Sequence, residues 1–270
     1  MVDHKYNELE YAKVIHDNGF QSTFLRYELV VLVKYLKHLN YSKKETETFL
    51  YNFCKKHINN FNEVKYYKVI DGAVRDGRKK KNPLVIIHNI PVWRCELEYI
   101  DGLDIGIEHK KLLLSFLVKK KISLEIHKLI NTKATVSVYF EGSKKKFKEI
   151  FSCANINGKY KVDYMVHELV TKDIIKSTYN GDLILEFINE IELLSKDSGV
   201  YHLLEPSDFE NIGLVFECYK GLNKVTKCEV CGKIIKSKGK KTNKYCEACA
   251  KKKIRERDRA RKEILRKNRR

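Results

Sequence analysis

The sequence predicts a mainly α-helical protein with small β elements: an N-terminal helical domain, a mixed middle domain and a C-terminal four-cysteine finger that runs into a basic helix. Three observations predict this. Apolar residues recur at helical spacing through the first 80 residues. Two Cys-x2-Cys pairs stand 14 residues apart near the C-terminus, and positive charge collects around and behind them. Of the formal net charge of +19, residues 227–270 supply +14, from 19 Lys and Arg against 5 Asp and Glu. Position matters more than total, because a local excess of one sign attracts a polyanion, nucleic acid ahead of an acidic membrane surface.

In the first domain, residues 1–80, Leu25, Leu29, Leu32, Val33 and Leu36 form one apolar stripe and predict a helix. Ser42-Lys43-Lys44-Glu45 predicts the start of the next, since the Ser hydroxyl and the Glu carboxylate reciprocally satisfy free backbone N–H groups. Its apolar face is Phe49, Leu50, Phe53, Cys54 and Ile58. Asn62 is placed to cap a third helix carrying Val64, Ile70 and Val74. The run Asp76 to Pro83 combines helix breakers with four consecutive cations and reads as a solvated linker.

The middle domain, 81–200, opens with the β-prone run Leu84 to Ile87 and a short helix from Trp93 to Ile100. A longer helix is expected over Ile107 to Lys121, a strand over Ala134 to Phe140, and helices over Lys145–Ala154 and Val162–Ile175. The turn Tyr179-Asn180-Gly181-Asp182 then leads into a β-prone run, Leu183 to Ile188. A connector, 201–226, separates this domain from the finger and basic helix of 227–270.

The order helix, strand, short helix, turn, longer helix and turn-bounded strand over about 105–190 resembles a winged helix-turn-helix, with FKEIFSCANINGKYKVDYMVHELVTKDIIKSTYNGDLILEFI at its centre. The resemblance implies a second helix lying in the major groove and a wing on the DNA backbone. The sequence departs from that pattern, because the second helix carries Asp163, Glu168 and Asp173 beside Lys172 and lacks base-reading side chains. A module that contacts protein, or a small helical domain with neither role, remains open.

Cys228-x2-Cys231 and Cys246-x2-Cys249 have the spacing at which paired thiolates converge on one tetrahedral ion, about 2.3 Å from each sulfur. Zn2+ is the expected cofactor; iron can replace it, and a redox dithiol is disfavoured because two matched pairs are present. Gly232 follows the first pair, and Lys233–Ser237 is expected to pair with Thr242–Tyr245 around Lys238-Gly239-Lys240-Lys241. Knuckle, hairpin and a pair at a helix start resemble the treble-clef and zinc-ribbon fingers of bacterial and phage nucleic-acid-binding proteins. The resemblance covers about 43 residues and implies the metal site.

From Glu247 to Arg270 there is no Gly or Pro, and Ala, Lys, Arg, Glu and Leu dominate, so the segment favours helix. Asp258 with Lys262 and Glu263 with Lys267 support it at i, i+4. The expected nucleic-acid contacts are Lys238, Lys240, Lys241 and Lys244 of the finger, then Lys251, Lys252, Lys253, Arg255, Arg257, Arg259, Arg261, Lys262, Arg266, Lys267, Arg269 and Arg270. A solubilising tail is the alternative reading of the same charge run.

No catalytic set is expected. Residues 228–270 contain no His, which removes the general base that a finger-based nuclease of the HNH kind requires. Glu108-His109-Lys110 reads as a solvated helix start, Cys54-x2-His57 as core, and Gly239-Lys240-Lys241-Thr242 lacks the spacing of a phosphate loop. The scattered Cys54, Cys95, Cys153 and Cys218 read as buried thiols of a reducing compartment. The N-terminus resembles no secretory leader, and no apolar run is long enough to span a bilayer, so a cytoplasmic location is expected. The sequence therefore predicts a zinc-dependent nucleic-acid-binding protein with DNA or RNA as partner. The alternative is an interaction protein, an adaptor or inhibitor of a nucleic-acid enzyme.

Overall fold

The computed structural model describes residues 5–156, 162–222, 225–237 and 243–267. Backbone contacts divide the chain into two compact units, one of residues up to Ile90 with Lys121–Val136, the other of Pro91–Lys120 with the chain from Ser137 onward.

The first unit is helical. Its elements are α1 (Glu8–Asn18), α2 (Leu25–His38), α3 (Lys43–His57) and α4 (Glu63–Gly77). Tyr11, Ile15, Leu29, Leu32, Leu36, Leu50, Phe53, Ile70 and Val74 form one buried cluster, so the predicted stripe of α2 does face the core. The capping box at α3 is present: Glu45 N–H donates to Ser42 Oγ, and Ser42 N–H donates to Glu45 Oε2 at 2.7 Å. Asn62 caps α4 through Lys65 N–H.

Charges are also buried here. Lys34 Nζ lies 2.9 Å from Glu8 Oε1, each side chain only 6% exposed, and Glu8 Oε2 accepts the Val85 N–H at 2.8 Å. Glu28 accepts the Tyr11 hydroxyl at 2.6 Å and the Gln21 N–H at 2.9 Å. Removing one partner of such a pair strands the other away from water. Lys34→Met is therefore expected to cost about 3–5 kcal/mol of unfolding free energy. A urea-unfolding midpoint equal to that of the wild type would rule this out.

Two expectations fail in this unit. Leu84 to Ile87 forms no strand; only an isolated bridge joins Ile86 to Asn7, flanked by Glu8 N–H to Val85 O and Ile87 N–H to Tyr6 O. Asn7 directly precedes α1, so the chain turns into helix and the pairing extends no further in that direction. The expected linker begins inside α4: Gly77 packs where a Cβ would meet Val33, Asp76 binds Arg26 and Lys79, and Arg78 donates to Tyr41 O.

The second unit contains β1 (Ile90–Trp93, its first residue at the division), α5 (Arg94–Gly102) and the first part of α6 (Ile107–Lys128). Then come β2 (Tyr139–Phe140), α7 (Lys144–Cys153), α8 (Val162–Thr171), β3 (Lys176–Ser177), β4 (Leu183–Ile184) and α9 (Phe187–Glu192). β5 (Val200–Leu204), α10 (Gly213–Tyr219), β6 (Val225–Lys227), β7 (Ile234–Lys236) and α11 (Glu247–Lys267) complete it.

Lys111 to Val118 are buried in succession, so this part of α6 is surrounded on all sides and has no solvent face. Lys111, 2% exposed, reaches Glu217 Oε1 at 2.6 Å, Glu108 Oε2 at 3.0 Å and Asn155 O at 3.0 Å. His109 Nε2 lies 2.9 Å from Glu168. The expected solvated start of α6 is thus half-buried, with Lys111 held between two carboxylates directly behind it. β2, β4 and β3 form an antiparallel sheet in that order, with Phe140 opposite Leu183 and Ser177 opposite Leu183 on the other side.

Strands here are shorter than expected. Of Ala134 to Phe140 only Tyr139–Phe140 is strand, and Leu183–Ile184 gives way to α9 because Phe187, Ile188 and Ile191 are buried at helical spacing. α8 stops at Thr171, and Asp173 takes a positive φ of 53°. At the start of α10, a Cβ on Gly213 would lie 1.9 Å from the carbonyl oxygen of Ala154. Backbone cannot retreat as a side chain does, so Gly213→Ala should destabilise by about 1–3 kcal/mol. Calorimetry checks it, and an unchanged melting temperature would contradict the close approach.

Among the described residues no helix is long and apolar enough to cross a membrane.

Candidate metal centre and basic helix

β6 and β7 form an antiparallel hairpin with Val225 opposite Lys236 and Lys227 opposite Ile234. The first cysteine pair sits in its turn. Among the described residues the strand turns back on residues ahead of Cys228, where the expectation was a pairing of Lys233–Ser237 with Thr242–Tyr245, of which Thr242 and the turn before it lie outside the described residues. The reason is local: Cys228 N–H donates to Lys233 O, Gly232 N–H donates to Cys228 O, and Gly232 takes a φ of +71° that a residue with a Cβ adopts at a cost. Ile234 is buried, and the hairpin packs on α10. Lys233 reaches Ser207 O at 2.9 Å.

The second pair opens α11. Cys246 immediately precedes the helix and its carbonyl accepts the Ala250 N–H; Cys249 lies within the first turn. Glu229 N–H donates to Lys244 O at 2.9 Å and ties the knuckle to the segment entering the helix. All four Sγ atoms lie within 4.8 Å of one another, and Cys231 Sγ is 3.7 Å from Cys246 Sγ. A tetrahedron with metal–sulfur bonds of about 2.3 Å has edges of about 3.8 Å, so a small contraction accommodates the ion. Four sulfurs without an oxygen donor suit a soft or borderline cation.

The electrostatics favour thiolate at one corner. Burial pushes the Cys228 thiol up, but the backbone N–H groups of Cys246, Cys231 and Val230 outweigh it and hold the group at about 6. Hydrogen bonds with Cys246 and Cys231 push Cys249 up to about 12, as expected for thiols competing for one negative charge. A divalent cation removes that competition. Of the scattered thiols, Cys54 and Cys153 are buried whereas Cys95 and Cys218 are only half-buried, which corrects the expectation for the latter two. Burial raises Cys54 to about 12.

Beyond the cluster, α11 runs for 21 residues, about 30 Å. Lys251, Lys252, Lys253, Arg255, Arg257, Arg259 and Arg261 are all exposed. Lys251 pairs with Glu247 at 2.6 Å, and Lys253 Nζ stands 4.1 Å from the Tyr245 ring centroid. Lys244 is exposed and 3.7 Å from Glu229. Lys238, Lys240, Lys241, Arg269 and Arg270 lie outside the described residues, as do the side chains of Lys262, Arg266 and Lys267 and hence the expected pairs Asp258–Lys262 and Glu263–Lys267. Sequence reasoning missed Lys227 and Lys233, which border a cleft with His202, Asp208, Cys231 and Gly232. Their place beside a cysteine pair was the available signal.

No protein-family model matches the chain, and neither a curated protein nor a solved structure matches it.

Proposed function

We propose that this is a zinc-dependent nucleic-acid-binding protein, a non-catalytic regulator or accessory factor of replication, recombination or transcription, working in a reducing, cytoplasmic compartment. One observation carries the reading: a long helix with exposed cations over its described length leaves the body of the protein directly at a four-sulfur cluster. Helical repeat puts positions 251, 255, 259, 262 and 266 on one face, all Lys or Arg, with Asp258 and Glu263 at its edges. A stripe of this kind matches a row of phosphates. The bound metal would fix where the helix starts, because Cys246 directly precedes the helix and Cys249 lies in its first turn while Cys228 and Cys231 belong to the turn of the hairpin.

The winged helix-turn-helix reading of residues 105–190 is also proposed. It is supported by the order α6, β2, α7, α8, β3, β4 and by the sheet order β2-β4-β3. The acidic residues of α8, with Glu168 engaged by His109, favour the second reading of that module as a surface for protein rather than for base edges. The decisive experiment is a titration of DNA and RNA at several salt concentrations, with and without residues 251–270. Binding that ignores both salt and truncation would hand first place to the interaction-protein reading.

A further inference from the structure

Outside the finger, one surface combines unpaired positive charge with an aromatic ring that the fold does not use. Tyr179 occupies the turn between β3 and β4 and is fully exposed. Packing cannot account for it. The turn is nevertheless held in place: Gly181 N–H donates to Thr178 O, Asp182 N–H donates to Thr178 Oγ1, and the buried Asp182 carboxylate accepts the Gly142 N–H and the Tyr139 hydroxyl. A presented ring on an anchored turn loses little freedom when it binds.

Beside this turn begins α7. A Cβ on Gly142 would lie 2.0 Å from Gly181 O, so the two backbones touch. Tyr179 stands two residues from one of these glycines and Lys144 two residues from the other, which keeps their Cα atoms within about 20 Å of each other. Lys144, Lys145 and Lys148 are exposed and, among the described residues, make no ion pair. Their neighbour Lys146 is held by Glu141; of the nearby acids, Glu149 pairs with Lys119, Asp182 accepts the Tyr139 hydroxyl, and Asp163 borders the adjoining cleft with Phe147 and Gly181.

We propose that this tip is a second nucleic-acid contact that takes a single strand, Lys144, Lys145 and Lys148 holding its phosphates while an unpaired base stacks on Tyr179. Single strands fit because their base faces are free, whereas a duplex covers them and presents only phosphate to the ring. Stacking on an aromatic platform beside a positive track is the general chemistry of single-strand binding and tolerates any base. The proposal rests on the nucleic-acid reading above but not on the tail.

The test uses the full chain and a fluorescent oligothymidylate of about 12 nucleotides, alone and annealed to its complement. Tyr179→Ala should weaken single-strand binding about tenfold and leave duplex binding unchanged. Lys144→Ala/Lys145→Ala/Lys148→Ala should lower the single-strand salt slope by about 2, at roughly 0.7 per phosphate. A Tyr179→Trp variant should lose emission on adding the single strand, beyond any change at Trp93 in the wild type. All three changes lie on exposed positions, and circular dichroism verifies the fold. Binding by the wild type that is unaffected by Tyr179→Ala and silent in Tyr179→Trp overturns this site and leaves the functional reading standing. No binding of any nucleic acid by the wild type at low salt overturns both. Duplex binding that falls as much as single-strand binding overturns the single-strand assignment.

Discussion

Cys246→Ser is expected to release the bound metal and melt the C-terminal hairpin and the first turns of α11, while the helical first unit keeps its fold. The effect should be large. Apparent binding free energies of structural zinc in small fingers are about 10–16 kcal/mol, and among the described residues little else joins the knuckle to the helix start: the Glu229 N–H to Lys244 O bond, the exposed Lys244–Glu229 pair and the Cys246 N–H at the Cys228 sulfur. The chain should carry one zinc per molecule by elemental analysis. Cobalt substitution should give the thiolate charge-transfer absorption of a four-sulfur site, and the serine variant should lose it. Stoichiometric metal that survives Cys246→Ser would show that the ion sits elsewhere. Because thiolates rather than thiols bind the ion, acid should release it, and proton uptake should accompany release.

Truncation of residues 251–270 should flatten the salt dependence of duplex binding. Each neutralised phosphate contributes about 0.9 to the slope, so the five cationic positions on one face of α11 predict a loss of about 4 to 5. With that slope, a fourfold rise in salt weakens the intact protein by about 10²- to 10³-fold. The truncated chain should respond far less. Replacing Arg255, Arg259 and Lys262 with glutamine gives an intermediate result without shortening the helix. If the remaining protein still prefers one sequence, specificity resides in the proposed winged helix; if preference vanishes with the tail, the binding is to phosphate alone.

Local chemistry was legible in the sequence wherever it is self-contained. The capping box of α3 needs only Ser42 and Glu45, and the cysteine pairs need only their own spacing, so both are found as read. The helix of residues 247–267 follows from composition. What could not be read depends on partners distant in the chain. The run Leu84–Ile87 has strand composition, but whether a ladder forms depends on what lies opposite, and there the described chain passes from Tyr6 and Asn7 straight into α1. Ile234–Lys236 could pair forward or backward, and the choice falls to Val225–Lys227. Glu108-His109-Lys110 read as a solvated helix start; that Lys111 directly behind them is buried depends on Glu217, which the fold brings to it from over a hundred residues away. Tyr179 gave no sequence signal because a tyrosine in a turn announces nothing until its exposure is known.

The two units are interleaved along the chain: the first reclaims residues 121–136 after the second has begun at residue 91. No single scission therefore yields two complete pieces. A nascent chain leaving the ribosome must hold residues 91–120 without their later partners, such as Glu217 for Lys111, while the first unit still waits for residues up to 136. Fragment expression ending at residue 90 would leave that unit short of its last segment, and a single cut between residues 91 and 120 would nick the second unit while separating the two segments of the first.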